Sequence, residues 1–319
     1  MTGRLALRSV ALGYLVLLIL LPLGLVLWRA FEHGIAPVWQ ALSQPAALHA
    51  VWLTSLATAI AVLANTVFGV ICGLLLVRHP RRGRSLLAAG IGLPLAVSPV
   101  VVGLALIVVY GRNGWIGSWL VTQGLPVIFA PPGIILATVF ISLPFVVREV
   151  VPVLQELGVE QEQAALTLGA SPWQTFRYIT LPAIRPAITY GVVLTTARAL
   201  GEFGVVSVVS GNLAGQTQTL TLYVQDRFQA FDLTGAYTAS VELALLAVVT
   251  LLLLKRTQHQ ADNEERKTDG DHDSPRFEAI RRLCGAGRRL SGGAGRRAHG
   301  APRPEWERQI NVAAGDRRA

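Results

Sequence analysis

Arg198 and Glu202 stand four residues apart in TTARALGEFG, inside a run otherwise made of apolar, small and hydroxyl residues. On a helix that spacing puts both on one face, where they can meet as an ion pair. Charges in so apolar a setting are costly and turn toward an interior or a cavity. Two roles are open: Arg198 attracts a passing anion, or the pair ties the structure together, and the tie is the commoner arrangement. Ser98, beside Pro99, and Thr195, Thr196 and Ser207 bring hydroxyls to similar runs. A hydroxyl there either solvates an oxyanion or satisfies a backbone carbonyl. These six residues are the candidate lining of a polar pathway. A catalytic centre would need a convergent nucleophile, acid/base or metal set. The six histidines are scattered, with only His33, His49 and His79 before the C-terminal region, and Cys72 and Cys284 are badly placed to pair. No metal-ligand spacing is present, so neither catalytic nor metal-binding residues are expected, and redox chemistry is not expected either.

The elements that must carry these groups are membrane helices. Over half of the 319 residues are hydrophobic (52%), only 15% are charged, and mean hydropathy is +0.49. A soluble domain of that balance would show large apolar patches to water. A helix rises 1.5 Å per residue and the hydrocarbon core is about 30 Å thick, so one crossing takes about 20 apolar residues. Six runs qualify, from about Val10 to Trp28, Trp52 to Val77, Leu86 to Tyr110, Pro132 to Val151, Pro186 to Ser207 and Ala236 to Leu254. They are long and unbroken rather than alternating, which excludes a β-barrel. The fold class is an all-α integral membrane protein with six transmembrane helices. Arg4, Arg8, the RHPRRGR string from Arg78 to Arg84, Lys255 and Arg256 all fall on one side of such a layout, whereas Arg112 and Arg227 are the main cations opposite. The excess of positive charge marks the cytoplasmic side, so both termini are expected there. The first run lacks a small-residue cleavage site and reads as an uncleaved anchor.

Between the fourth and fifth runs lies QAALTLGASPWQTFRYITLP, on the cytoplasmic side. Gln155 to Leu168 reads as an amphipathic helix that Gly169 stops, since glycine enters the left-handed conformation without a Cβ penalty. Ser171 and Pro172 then read as N-cap and first residue of a short second helix, PWQTFRYI, which Pro182 ends before Pro186 opens the next crossing. The expected product is a stiff helix-turn-helix projecting from the bilayer.

That segment resembles the EAA loop of binding-protein-dependent ABC importer permeases, E-A-A, three residues, Gly, nine residues, I-x-L-P. Here Gln163-Ala164-Ala165, Gly169 and Ile179-Thr180-Leu181-Pro182 keep the spacing, with Gln163 in place of the usual glutamate. The resemblance implies that the helix after Gly169 is a coupling helix that docks on an ATPase. Trp173 and Phe176 would be its aromatic anchors. Beyond the loop, LPLAVSPVVVGL, GRNGWIGSW, IFAPPGIILATVFISLPFVVREVVPVLQELG and ARALGEFGVVSVVSGN are similar to the CysW type of sulfate/thiosulfate importer permease. The G-E-F-G string is shared with molybdate and tungstate permeases, so molybdate is the alternative substrate. The resemblance covers nearly all of Leu12 to Leu254. It implies a bacterial inner-membrane subunit that is not itself an enzyme and carries no cofactor. Its partners would be a CysA-type ATPase dimer binding ATP and Mg, a CysT-type homologous permease, a periplasmic sulfate/thiosulfate-binding protein and membrane lipid, with no nucleic acid.

The transmembrane domain is expected to span residues 1–257, with the coupling loop at 155–185, and a different composition follows. From about Gln258 the chain is polar, Arg- and Gly-rich and aperiodic, the signature of a disordered basic tail. Reading Ala301–Ala319 back into codons and starting one base later permits L-L-G-P-S-G-S-G-K-S-T-L-L-R-V-I-A-G, a nucleotide-binding P-loop. Trp306 followed by Glu307 forces the Gly, and Gln309 followed by Ile310 allows only Lys or Arg. Residues from about His272 are thus expected to be an out-of-frame reading of an adjacent ATPase gene.

Overall fold

The computed structural model describes residues 13–32, 34–78 and 83–269, with Ile19 and residues 255–269 described for their backbone alone. Arg4, Arg8, His33, His79 and the out-of-frame reading lie outside the described residues. Within them every regular element is helical. In chain order these are α1 (Gly13–Phe31), α2 (Ile35–Leu42), α3 (Pro45–Arg78), α4 (Arg84–Ala96), α5 (Pro99–Tyr110), α6 (Gly117–Thr122), α7 (Pro131–Glu156), α8 (Glu160–Thr167), α9 (Pro172–Thr175), α10 (Leu181–Leu200), α11 (Val206–Val209), α12 (Leu220–Gln229) and α13 (Leu233–Asp269).

Four of these, α1, α3, α7 and α13 as far as Leu254, are long and apolar enough to cross a bilayer. The third expected run is not one straight crossing: α4 and α5 meet at 113°. Pro99 is the cause, because a residue before proline is driven out of the helical region, and Val97 and Ser98 are both extended. The fifth expected run stops at Leu200, and Ser207 sits in the separate turn α11. At the far end, α13 runs through Asp269, past Gln258 where composition predicts disorder. The stretch QADNEERKTD holds enough Glu, Gln, Lys and Arg to propagate a helix already nucleated by the crossing.

Three helices form the centre. Between membrane helices, small residues let backbones approach, and α3, α7 and α10 use glycines for this. A Cβ on Gly69 would stand 2.6 Å from Val146 Cβ, one on Gly73 2.9 Å from Val150 Cγ1, and one on Gly191 2.9 Å from Val146 Cα. Val146, Val150, Leu154 and Ile184 are fully buried at this seam. Asn65 of α3, also fully buried, donates through Nδ2 to the Val139 carbonyl (3.0 Å) and to Ser142 Oγ (2.8 Å) of α7. Around the centre, α13 packs on α1, α2 and α12, and Arg227 of α12 donates to Gln44 Oε1 (2.7 Å) while stacking over Tyr223. The outward Leu and Val side chains of α1 and α13 are exposed, as a lipid-facing surface requires.

Prolines do not end helices where the sequence suggests. Pro182 follows a π-helical turn, Phe176–Thr180, that joins α9 to α10 without a gap, so Pro182 and Pro186 lie within one continuous helical rod. A proline leaves the carbonyl four residues back without a donor and crowds it with its ring. The wider i→i−5 turn, in which the Leu181 N–H donates to the Phe176 carbonyl, makes room for it. The same device recurs at Val16–Leu20, again just before Leu-Pro, at Leu21-Pro22.

Candidate functional site

The first candidate region is the loop between α7 and α10. Gln155 to Leu168 is not one helix: α7 ends at Glu156, Gly158 takes φ +62°, and α8 begins at Glu160. Gly169 then stops α8 at φ +87°, its N–H donating to the Leu166 carbonyl while the Ala170 N–H reaches the Ala165 carbonyl, a Schellman closure. Ser171 caps the next turn. Its Oγ accepts from the Gln174 N–H (3.3 Å), and Gln174 Oε1 accepts from the Ser171 N–H (2.8 Å), a reciprocal capping box with Pro172 in the first helical position.

The two aromatic residues point differently. Their rings are 5.7 Å apart, yet Trp173 is 66% exposed, whereas Phe176 is half-buried against the seam of Val70, Val146, Val150 and Leu154. Phe176 therefore fastens the helix to its own core, and Trp173 is the one offered outward. Gln163, Ala164, Ser171, Pro172 and Leu181 are exposed, together with Leu166, Leu168 and Tyr178, while Ala165, Ile179 and Pro182 are half-buried.

A partly buried polar node, missed from sequence, lies beneath this surface. Arg78, the last residue of α3, meets Glu162 of α8 through Nε–Oε2 at 3.0 Å and Nη2–Oε1 at 3.1 Å. Its Nη1 donates to the Leu154 carbonyl near the end of α7 (3.2 Å), and Thr180 Oγ1 donates to Glu162 Oε1 (2.8 Å). The Arg78 and Glu162 side chains are 11% and 20% exposed. The available signals were an Arg closing a crossing and a Glu one residue ahead of Gln163, but nothing local links positions 84 residues apart.

The second region is where two helices break inside the packed molecule. Glu202 is buried and paired with Arg198 of α10, as the spacing predicts. Its Oε1 also accepts from the Val205 N–H (3.0 Å), and its backbone carbonyl accepts from Thr221 Oγ1 (2.9 Å). The break after α10 fits directly against the break between α4 and α5: a Cβ on Gly204 would stand 2.8 Å from Pro99 Cβ, and one on Gly103 2.8 Å from Val208 Cβ. Buried irregular backbone must find its hydrogen bonds within the protein, and the Phe129 N–H to the Val209 carbonyl (2.9 Å) and the Leu220 N–H to Thr54 Oγ1 (2.9 Å) supply two of those bonds.

Of the other pathway candidates, Thr196 and Ser207 give their hydroxyls to the Val192 and Gly204 carbonyls (2.8 and 2.9 Å). Thr195 is fully buried with an unpartnered Oγ1, and Ser98 is exposed beside the bend. Arg198, about a third exposed, thus shares its surroundings with Glu202 rather than with a ring of hydroxyls. No cluster of three or more metal-ligating side chains occurs among the described residues.

The architecture is that of an ABC importer permease. A chain in the crystal structure of a bacterial alginate ABC transporter, in complex with an alginate pentasaccharide-bound periplasmic protein, matches it with a TM-score of 0.69 over 81% of this chain and 94% of that one. At 16% identity the likeness speaks for the fold alone. The chain belongs to the family of binding-protein-dependent transport system inner membrane components, whose pattern it matches over residues 65–262. Its relatives include the sulfate transport system permease protein CysW of Synechocystis sp., 49% identical over 77% of this chain and 89% of that protein. CysW of Escherichia coli (strain K12) is 45% identical over 81% and 89%, and CysT of the same organism 39% identical over 76% and 87%. The chain is accordingly a permease component and not the enzyme of its transport system.

Proposed function

We propose that this chain is one permease subunit of an ATP-driven sulfate/thiosulfate importer, forming half of the translocation pathway. The observation that carries the substrate is its 45–49% identity to permeases named for sulfate transport. In this reading the chain crosses the inner membrane six times, with α4 and α5 as the third crossing and α10 as the fifth, and both termini are cytoplasmic. The loop at 155–185 is the EAA coupling loop. A CysA-type ATPase dimer binds ATP and Mg and docks on it, a CysT-type permease completes the pathway, and a periplasmic sulfate/thiosulfate-binding protein delivers the anion. Ser98 and Arg198, at the paired breaks, are the groups best placed to meet it. The tail from about His272 is an out-of-frame reading of the ATPase gene, which the nucleotide sequence of the locus tests directly.

Coupling is supported by the capped helix and its exposed apolar face. Trp173→Ala removes the outward anchor without touching the core, so the variant should fold normally and lose the ATPase on purification, with dissociation at least tenfold faster, a hot-spot effect of about 2 kcal/mol. Retention of the ATPase at wild-type stability would remove the helix from the interface. For the substrate, a deletion strain carrying this gene should regain growth on sulfate as sole sulfur source. Rescue of molybdoenzyme activity without growth on sulfate would reassign it to molybdate.

A further inference from the structure

Chain connectivity ties the coupling loop to two crossings only, α7 before it and α10 after it. The Arg78–Glu162–Thr180 node adds a third. Arg78 ends α3, Glu162 sits in the first turn of α8, Leu154 lies in the last turns of α7, and Thr180 closes the π turn below α10. One carboxylate thus holds a guanidinium and a hydroxyl from two other elements, and the same guanidinium takes up a carbonyl near the C-terminus of α7. Every partner is satisfied, and the node is mostly shielded from water. A solvent-exposed pair would be too weak and mobile for a mechanical tie, whereas a shielded, fully hydrogen-bonded pair fixes one relative placement of the elements it joins.

The position of the acid matters. Successive residues on a helix point about 100° apart, so exposed Gln163 faces a docking partner while Glu162 turns toward α3. The charge that the EAA pattern would offer outward is here one residue earlier and directed inward.

We propose that Glu162 is a positioning residue that locks the cytoplasmic end of α3 to the coupling helix, so that a stroke received by the loop moves three crossings rather than two. This rests on the coupling role given above. It makes the node a determinant of how much transport each ATP produces, and not of whether the ATPase binds.

The test uses the whole transporter, with its second permease, ATPase and binding protein, reconstituted in proteoliposomes, and measures labelled sulfate taken up and ATP hydrolysed in the same vesicles. Glu162→Gln should retain the ATPase on purification and lower sulfate moved per ATP by about fivefold or more, the lower end of typical coupling between linked sites. Thr180→Val, which removes one bond and leaves the ion pair, should give a smaller fall in the same ratio. Arg78→Gln, which breaks the ion pair from the other side, should lower the same ratio to a similar degree. A wild-type ratio in both Glu162→Gln and Thr180→Val overturns the proposal, as does a wild-type ratio in an Arg78→Gln variant that folds and binds the ATPase. Nitroxide labels at the exposed positions 75 and 166 give a second measure: their separation should broaden in Glu162→Gln, and an unchanged distribution overturns the lock. Trp173→Ala in the same vesicles separates the two ideas. If it keeps the ATPase while Glu162→Gln uncouples, the docking surface lies elsewhere and the lock stands.

Discussion

The molecule contains two Arg–Glu pairs of the same chemistry in opposite circumstances. Arg198–Glu202 is local, one turn apart across the end of α10, with Glu202 almost fully buried and Arg198 about a third exposed. Arg78–Glu162 joins residues 84 positions apart at the end of a crossing, where both side chains keep slight access to water. The local pair repairs a broken helix: Glu202 supplies an acceptor to the Val205 N–H that α10 no longer serves and neutralises Arg198 beside it. The distant pair repairs nothing in its own helix and fixes where one element stands relative to another. The short-range pair at a helix break therefore protects the fold, and the long-range pair at the end of α3 transmits position.

The largest effect should come from Glu202→Ala. It leaves the buried Val205 N–H without its acceptor and Arg198, about a third exposed, without its carboxylate, and a buried donor left unsatisfied costs about 1–3 kcal/mol. A lower unfolding midpoint in detergent is the expected outcome, whereas Glu162→Gln, which keeps a side-chain acceptor for Arg78 and Thr180, should shift the midpoint less. If both variants unfold alike, the two pairs do the same work and the contrast fails.

That contrast was only half legible in the sequence. Arg198 and Glu202 announce themselves because a helix repeats every 3.6 residues and both fall in one apolar run. Gly169, Ser171 and Pro172 were equally readable, since stop and cap signals act within a few residues. The bend at Ser98 and the stop at Leu200 were hidden, because hydropathy is summed over about twenty residues and a Gly or Pro barely changes the sum. Pro182 misled in the other direction: it is a helix breaker in water, but here a π turn and neighbouring helices absorb it. In the sequence Arg78 reads as one more cytoplasmic charge, since its partner is specified by the packing of α3 on α7 and α8 and by nothing near it in the chain.

A middle-sized effect sharpens the claim that stability resides in the central seam. Gly191→Ala places a Cβ 2.9 Å from Val146 Cα, which is backbone and has no rotamer to change. Alanine gains about 1 kcal/mol of helix propensity, while overpacking a tight seam costs about 1–3 kcal/mol. The immovable neighbour decides the sign, and a net loss of about 1 kcal/mol is expected, measured as a lower unfolding midpoint with ATPase binding retained once folded. A rise in the midpoint would mean that α7 and α10 can separate freely, and that the seam is not what holds the crossings together.

The smallest effect in stability falls on the loop itself. Ser171→Ala removes the Oγ that accepts from the Gln174 N–H and breaks the capping box, a change typically worth about 1 kcal/mol of helix stability. Little of that should appear in global unfolding, because α9 runs without a gap into α10 and the rod is held by Ile184 and Ala187 in the core. What changes is the entry angle of Pro172 and Trp173. Freed from the cap, the first turn samples other directions, and a docking partner must select the productive one. ATPase affinity should therefore fall a few-fold, with sulfate per ATP unchanged for the complexes that do form. Glu162→Gln should give the reverse, normal affinity with poor coupling. Should Ser171→Ala lower sulfate per ATP as far as Glu162→Gln does, the cap and the node would belong to one rigid unit, and docking and force transmission could not be assigned to separate residues.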